Sequence, residues 1–203
     1  MIPTRVRRTA LAVFLGVVSS LSPLQARFDP EIDAAARRYV DDHVRHWLTE
    51  RIIIESVLAQ NLRHADLDQQ RVDALDKLWS KQSARGGPLI DEVLGNSLSM
   101  HLRRIERRTN GLVTEILVMD KLGLNVGLSN LTSDYWQGDE DKWRKTFLVG
   151  PEAIFIDEVD LDESSQRYQT QVSLPVVDPA TGNVIGAVTV GIDAEGLLLL
   201  QGS

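Results

Sequence analysis

The sequence predicts an α+β fold in which long N-terminal helices precede a five-stranded antiparallel sheet. Two observations carry this. Apolar residues recur near the helical period from Glu31 to Ile105, and beyond Asn110-Gly111 the period changes to that of strands. A third observation, turn residues at 120–123 and 178–183, divides the second half into hairpins.

The first helix is predicted from Glu31 to about His64, on Ala36, Val40, Val44, Trp47, Leu48, Leu58 and Leu62. As one rod it would measure about 45 Å or more. A shorter helix follows from Asp66 to Ser80 through Val72, Leu75, Leu78 and Trp79. Gly86-Gly87-Pro88 ends that run, and Pro88 suits the first position of a third helix, whose Ile90, Val93, Leu94, Leu98, Leu102 and Ile105 share a face. Asn110-Gly111 is its stop signal. Strands are expected at Leu112–Met119, Leu124–Ser129, Ala153–Val159, Arg167–Val177 and Val184–Ile192, with a polar and aromatic interruption at 132–146.

Residues 1–26 read as a cleaved secretory signal. Arg5, Arg7 and Arg8 form its positive start, Ala10 to Val18 its apolar core, and Ala26 the small residue before the cut. The apolar core is too short for a spanning helix. The remaining chain divides into a helical region at 27–110 and a sheet region at 111–203, within one domain. A periplasmic or secreted location follows. There is no cysteine, which excludes both a disulfide framework and a lipid-modified N-terminal cysteine.

Loss of residues 1–26 removes three arginines and no acid, taking the net charge from -7 to -10, or 19 basic against 29 acidic side chains. An acidic chain is a poor partner for nucleic acid or an anionic membrane.

Three segments together resemble the single Cache family of extracytoplasmic sensors, whose sheet is PAS-like. Val118-Met119-Asp120-Lys121-Leu122-Gly123, running on to Gly127 and Ser129, is similar to the family's first hairpin. Asp134-Tyr135-Trp136 with Trp143 resembles the aromatic segment that closes over a ligand. Ser173 to Asp193, with Pro175, Asp178, Thr181-Gly182, Ile185-Gly186 and Gly191, resembles the closing hairpin. The resemblance implies reversible binding of a small solute, a carboxylate, amino acid or amine, between sheet and aromatic segment, and no enzymatic chemistry. Amino-acid-binding relatives carry an arginine just before the aromatic pair. Here none precedes Trp136, and the nearest cations are Lys142, Arg144 and Lys145.

The candidate ligand contacts are Asp134, Tyr135, Trp136, Trp143, Lys145, Asp157, Gln171 and Ser173. Aromatic walls with a few polar groups suit a small pocket. The same tryptophans would equally cap a core, and Asp134 would equally cap a short helix. Strand alternation puts Gln169, Gln171 and Ser173 on one face of the fourth strand, to line a pocket or meet solvent. Asp157 is either a contact to a ligand's amine or a metal, or an edge charge. Trp136→Ala is expected to abolish binding and spare the fold if the aromatic segment forms the site.

Residues 139–163 carry nine acids and three bases, which leaves a calcium-binding reading open at Asp157, Glu158, Asp160, Asp162 and Glu163. The spacing is not that of an EF-hand, and a solvated acidic turn explains it as well. The histidines His43, His46, His64 and His101 form no zinc-protease pattern, and no phosphate loop or nucleophile elbow is present. No metal or other cofactor is expected.

The sequence ends ten residues after Asp193 with no effector module. The expectation is therefore a stand-alone sensor read by a separate membrane-bound receptor, with a homodimer through the N-terminal helix left open. Its rivals are a ligand-free interaction module, with the apolar Leu197–Leu200 tail as a docking aid, and a divalent-cation sensor.

Overall fold

The computed structural model describes residues 29–162 and 166–200. The expected signal at 1–26 and Glu163 of the acidic run lie outside them. Among the described residues no helix is long and apolar enough to cross a membrane.

The architecture is α+β, with helices ahead of a PAS-like antiparallel sheet, in agreement with the sequence. Helix α1 (Pro30–Tyr39) starts on Asp29, whose side chain accepts from the Glu31 amide, and runs through a π-helical segment, Val40–Val44, into α2 (Arg45–Leu48). Ala36, Val40 and Val44 are spaced by four, which over-rotates a 3.6-residue helix. The wider π turn takes up the excess and keeps all three buried.

The single long helix expected from 31 to 64 is in fact divided. Thr49 Oγ1 bonds the His46 carbonyl, Glu50 is extended (φ -63, ψ 138), and the Glu50 carbonyl accepts the Ile53 and Ile54 amides that start α3 (Arg51–Arg63). The break lets Trp47 and Leu48 on one side, and Ile53, Ile54 and Val57 on the other, enter one core.

Helix α4 (Gln69–Ser83) is capped by Asp68. The expected third helix is two, α5 (Pro88–Gly95) and α6 (Ser97–Arg108), because Asn96 is extended and caps α6 through the Ser99 amide. Asn96 Nδ2 also holds the Val126 carbonyl, which pins the junction to the sheet. Asn110 and Gly111 both adopt positive φ, 52 and 89, and end the helical half.

The sheet comprises β1 (Val113–Met119), β2 (Asn125–Leu128), β3 (Phe155–Ile156), β4 (Asp160–Asp162), β5 (Arg167–Val177) and β6 (Val184–Asp193), with short helix α7 (Asp141–Arg144) before β3 and α8 (Ala194–Leu199) at the end. Its order is β2-β1-β6-β5-β3, all antiparallel, with β4 also on β5. The strand expected at 153–159 is thus a two-residue piece. The acidic turn beyond it includes a second piece on the same edge. Between them the register with β5 slips by one, a bulge where the Asp157 amide bonds the Gln171 carbonyl and Thr170 Oγ1 bonds the Asp157 carbonyl.

Alternation sends the two sheet faces to two cores. Ile116, Val118, Val172, Leu174, Val176, Val188, Val190 and Ile192 pack with α1, α2, α3 and α6. Leu117, Met119 and Ala187 pack on the other face with Leu124, Tyr135, Trp143, Val72, Trp79, Ile90 and Val93. Each large side chain so buried contributes roughly 1.5–3 kcal/mol against exposure.

Candidate functional site

A cleft of about 1000 Å³ opens at the end of this second face. One wall is Thr114, Glu115 and Leu117 of β1 together with Arg167, Gln169 and Gln171 of β5. The other is Asn130–Ser133 from the chain after β2, with Lys142 of α7, and Glu106 of α6 contributes at the rim.

The floor is built by a missing side chain. Gly191 of β6 lies between Glu115 and Gln171 in register. A Cβ there would stand 2.6 Å from Thr114 Oγ1 and 2.7 Å from Glu115 Cγ. With glycine in place, the neighbours meet across the strand. Gln171 Nε2 donates to Glu115 Oε1 at 2.7 Å, and Thr114 Oγ1 donates to Gln169 Oε1 at 2.5 Å. Two amide side chains and a carboxylate are thereby fixed on a rigid sheet, which is what a selective polar site requires.

The charged groups of the cleft have partners. Asn130 Nδ2 bonds both Glu106 carboxylate oxygens and the Thr114 carbonyl. Lys142 pairs with Glu140 at 2.9 Å, its side chain 15% exposed. Arg167 reaches Asp193 at 3.3 Å and the Gly111 carbonyl at 3.3 Å, its side chain 55% exposed.

Of the eight residues expected to contact a ligand, Gln171 lines the cleft. Ser173, two residues on, is fully buried and shares a 2.9 Å hydrogen bond with Thr189 Oγ1. The aromatic segment is not part of the lining. Tyr135 is buried against Trp79, ring centroids 5.2 Å apart, and burial, with the charges of Asp120 and Glu92, pushes its phenol well above the ordinary range. Trp136 Nε1 donates to the Leu122 carbonyl at 2.8 Å, and Trp143 Nε1 to the Asp120 carbonyl at 3.2 Å. Trp143 also stacks on Phe147 at 4.8 Å. Asp134 accepts from Ser133 through its carboxylate, and its carbonyl accepts from Asn125, Thr132 and Gln137.

Lys145 pairs with Asp141 at 2.7 Å and lies 4.4 Å from the Phe155 ring centroid. Asp157 is exposed at the sheet edge, its carboxylate on the Glu158 amide, and Asp160 likewise accepts the Leu161 amide. Among the described residues no group of three His, Cys, Asp or Glu is placed to hold a metal ion.

Glu106, Glu115, Asn130, Lys142 and Arg167 were not among the expected contacts. One signal was available: Glu115 is a lone charge inside the apolar run from Leu112 to Met119.

The aromatic segment owes its position to a buried carboxylate. Asp120 is fully buried, and its Oδ1 accepts the Leu122 and Leu124 amides while Oδ2 accepts Gln60 Nε2 at 3.1 Å and lies 2.8 Å from His64 Nδ1. This ties the end of α3 to the β1–β2 hairpin. Gly123, at φ +83, then brings the hairpin against Gly138, whose lack of a side chain leaves room for the Trp136 indole.

No protein-family model matches this sequence, and no curated protein matches it. Among solved structures the fold is similar to the sensor domain of the Vibrio cholerae histidine kinase DctB, at 14% identity and TM-score 0.43, covering 82% of this chain and 55% of that one. It is also similar to the ligand-binding domain of the Campylobacter jejuni chemoreceptor Tlp3 in complex with L-valine, at 17% identity and TM-score 0.38, covering 84% of this chain and 66% of that one. The Escherichia coli DcuS sensor domain aligns at 14% identity and TM-score 0.45, covering 86% of this chain and all of that one. This chain therefore spans little more than half of the DctB domain and about two thirds of the Tlp3 domain. At these values the likeness assigns no residue of the cleft; the three solved structures are the sensor domain of a histidine kinase, the ligand-binding domain of a chemoreceptor and the DcuS sensor domain.

Proposed function

We propose that this protein is a Cache-type extracytoplasmic sensor domain that reversibly binds a small polar solute, a carboxylate, amino acid or amine, in the cleft between β1, β5 and the segment 130–142. One observation carries the reading. Polar side chains from two strands bridge over Gly191 and present a fixed set of donors and acceptors to an open cavity of about 1000 Å³. Within the described residues, Gln169 Nε2 and Gln171 Oε1 take no part in these bridges and are left for a solute.

The solute would favour one arrangement of the cleft over another, by no more than its differential affinity for the two. The export signal read at residues 1–26 puts the domain in the periplasm or outside the cell. There a membrane-bound receptor would read the change.

A thermal-shift screen of carboxylates, amino acids and amines tests the proposal, since preferential binding to the native state raises stability by about 2.7 kcal/mol at a hundred times the dissociation constant. The expected result is a saturable shift with one chemical class, lost in Gln171→Leu while its circular dichroism spectrum remains that of the wild type. A shift that Gln171→Leu retains would place binding elsewhere.

A second reading is favoured by a separate observation. The indole nitrogens of Trp136 and Trp143 are spent on backbone carbonyls, and Tyr135 on a ring stack. The segment that closes over a ligand in the family is here filled by the protein's own side chains. A ligand-free interaction module would show no shift with any solute.

A further inference from the structure

Arg167 belongs to two places at once. It lines the cleft, and its guanidinium reaches Asp193, the residue that caps the last helix. Asp193 divides its carboxylate between them, with Oδ1 accepting the Gly196 amide at 2.6 Å and Oδ2 facing Arg167 Nη1 at 3.3 Å. The bond from Nη1 to the Gly111 carbonyl is also long, at 3.3 Å. Both contacts use one nitrogen of a group that has five N–H donors. Nε and Nη2 make no hydrogen bond within the described residues, and the side chain is 55% exposed.

We propose that Arg167 is both the anchor for an anionic group on the solute and the link that reports occupancy to α8. The proposal rests on the sensor reading above. A carboxylate offers two oxygens to the guanidinium fork at shorter range than the single 3.3 Å contact to Asp193. Glu106 and Glu115 repel an anion from the rest of the cleft, and Lys142 is held by Glu140. The anion is therefore directed to Arg167.

Drawing the guanidinium into the cleft takes it from Asp193. The cap on α8 then loses one of the two contacts that orient it. Helix α8 packs on α1 through Ala194 and Leu197, which share the core with Ile32, Ala35 and Ala36, so a looser cap reaches the N-terminal helix. Coupling of this kind is reciprocal. Whatever weakens the Arg167–Asp193 pair must strengthen anion binding.

The test is calorimetric titration of the protein with succinate, with putrescine as a four-carbon probe of opposite charge. Asp193→Asn keeps an oxygen to cap α8 and removes the competing charge. Its succinate affinity is expected to rise about two- to fivefold, the range of an exposed ion pair. Arg167→Gln is expected to lose at least about tenfold, as for a charge-assisted contact. Amide hydrogen exchange at Gly196 is expected to quicken with succinate in the wild type and to be indifferent to it in Asp193→Asn. Equal affinity of the three proteins for succinate or for a neutral amino acid, or binding of putrescine but of no carboxylate, overturns the anchor and leaves the sensor reading standing. Succinate binding with unchanged Gly196 exchange overturns the link. No binding by any solute class overturns both.

Discussion

Gly191 shows how a single position serves both the sheet and the cleft. Its neighbours approach so closely that a methyl group would meet Thr114 Oγ1 and Glu115 Cγ inside contact distance. Gly191→Ala is expected to cost about 1–3 kcal/mol in denaturant unfolding, as overpacking does. It should also separate Gln171 from Glu115. Tyr135 gives a second residue-scale expectation. Its phenol titrates higher in the folded protein than in the unfolded chain, chiefly through burial. The unfolded state therefore releases the proton first. The stability due to Tyr135 is fully present below about pH 10 and falls by up to about 1.4 kcal/mol per pH unit above it. Tyr39 is raised in the same direction by burial and adds to the alkaline loss. Tyr135→Phe should flatten the dependence of unfolding free energy on pH above 10 without abolishing it. An unchanged slope would show that Tyr135 ionises freely in the fold. Trp136, with its indole committed to the Leu122 carbonyl, is expected to act on stability: Trp136→Ala should lower the melting temperature and leave solute affinity within about twofold.

The β1–β2 hairpin depends on Asp120 more than on its turn sequence. Four polar groups converge on that carboxylate: the Leu122 and Leu124 amides of the hairpin's own backbone, Gln60 of α3, and His64 just after that helix. Asp120→Ala would strand them in a fully buried site, and a loss of about 3 kcal/mol or more is expected in chemical denaturation. Asp120→Asn, which keeps one carbonyl oxygen, should lose less. The sequence showed the hairpin through its turn residues and its apolar flanks, but not the tie to Gln60 and His64, which lie some sixty residues away. Helix boundaries were unevenly legible for similar reasons. Pro88 and Asn110-Gly111 mark ends with conformational signals, and the structure uses them so. The break at Thr49-Glu50 has neither glycine nor proline. It is imposed by packing, which brings Trp47 and Ile53 into one core. At 95–96 a signal did exist, since Asn following Gly is a common stop and restart, but the apolar face ran through it. Asp160–Asp162 looked like a solvated turn because its acids carry no strand pattern. It is held instead by pairing with Arg167, Tyr168 and Gln169.

At the scale of the molecule, strand alternation places Gln169 and Gln171 along the cleft, and the aromatic cluster packs in a core. The period of two on β5 separates Gln169 and Gln171, which line the cleft, from the core-facing Val172 and Leu174, and Ser173 follows on the same face but is fully buried. What the alternation lacked was the neighbouring strands. Glu115 and Gln171 are brought together across Gly191 only by a sheet order that places β6 between β1 and β5. Tyr135, Trp136 and Trp143 looked like a pocket wall because aromatic residues serve pockets and cores alike. Their side chains fill the space between the sheet and α4 and α5. The most direct measurement of the central claim is an NMR titration of amide shifts with the solute class that stabilises the protein. The account predicts perturbations concentrated on residues 113–117, 130–133, 142 and 167–171, with a smaller set at 193–196. Perturbations confined to 134–137, or to the acidic edge at 157–160, would contradict it.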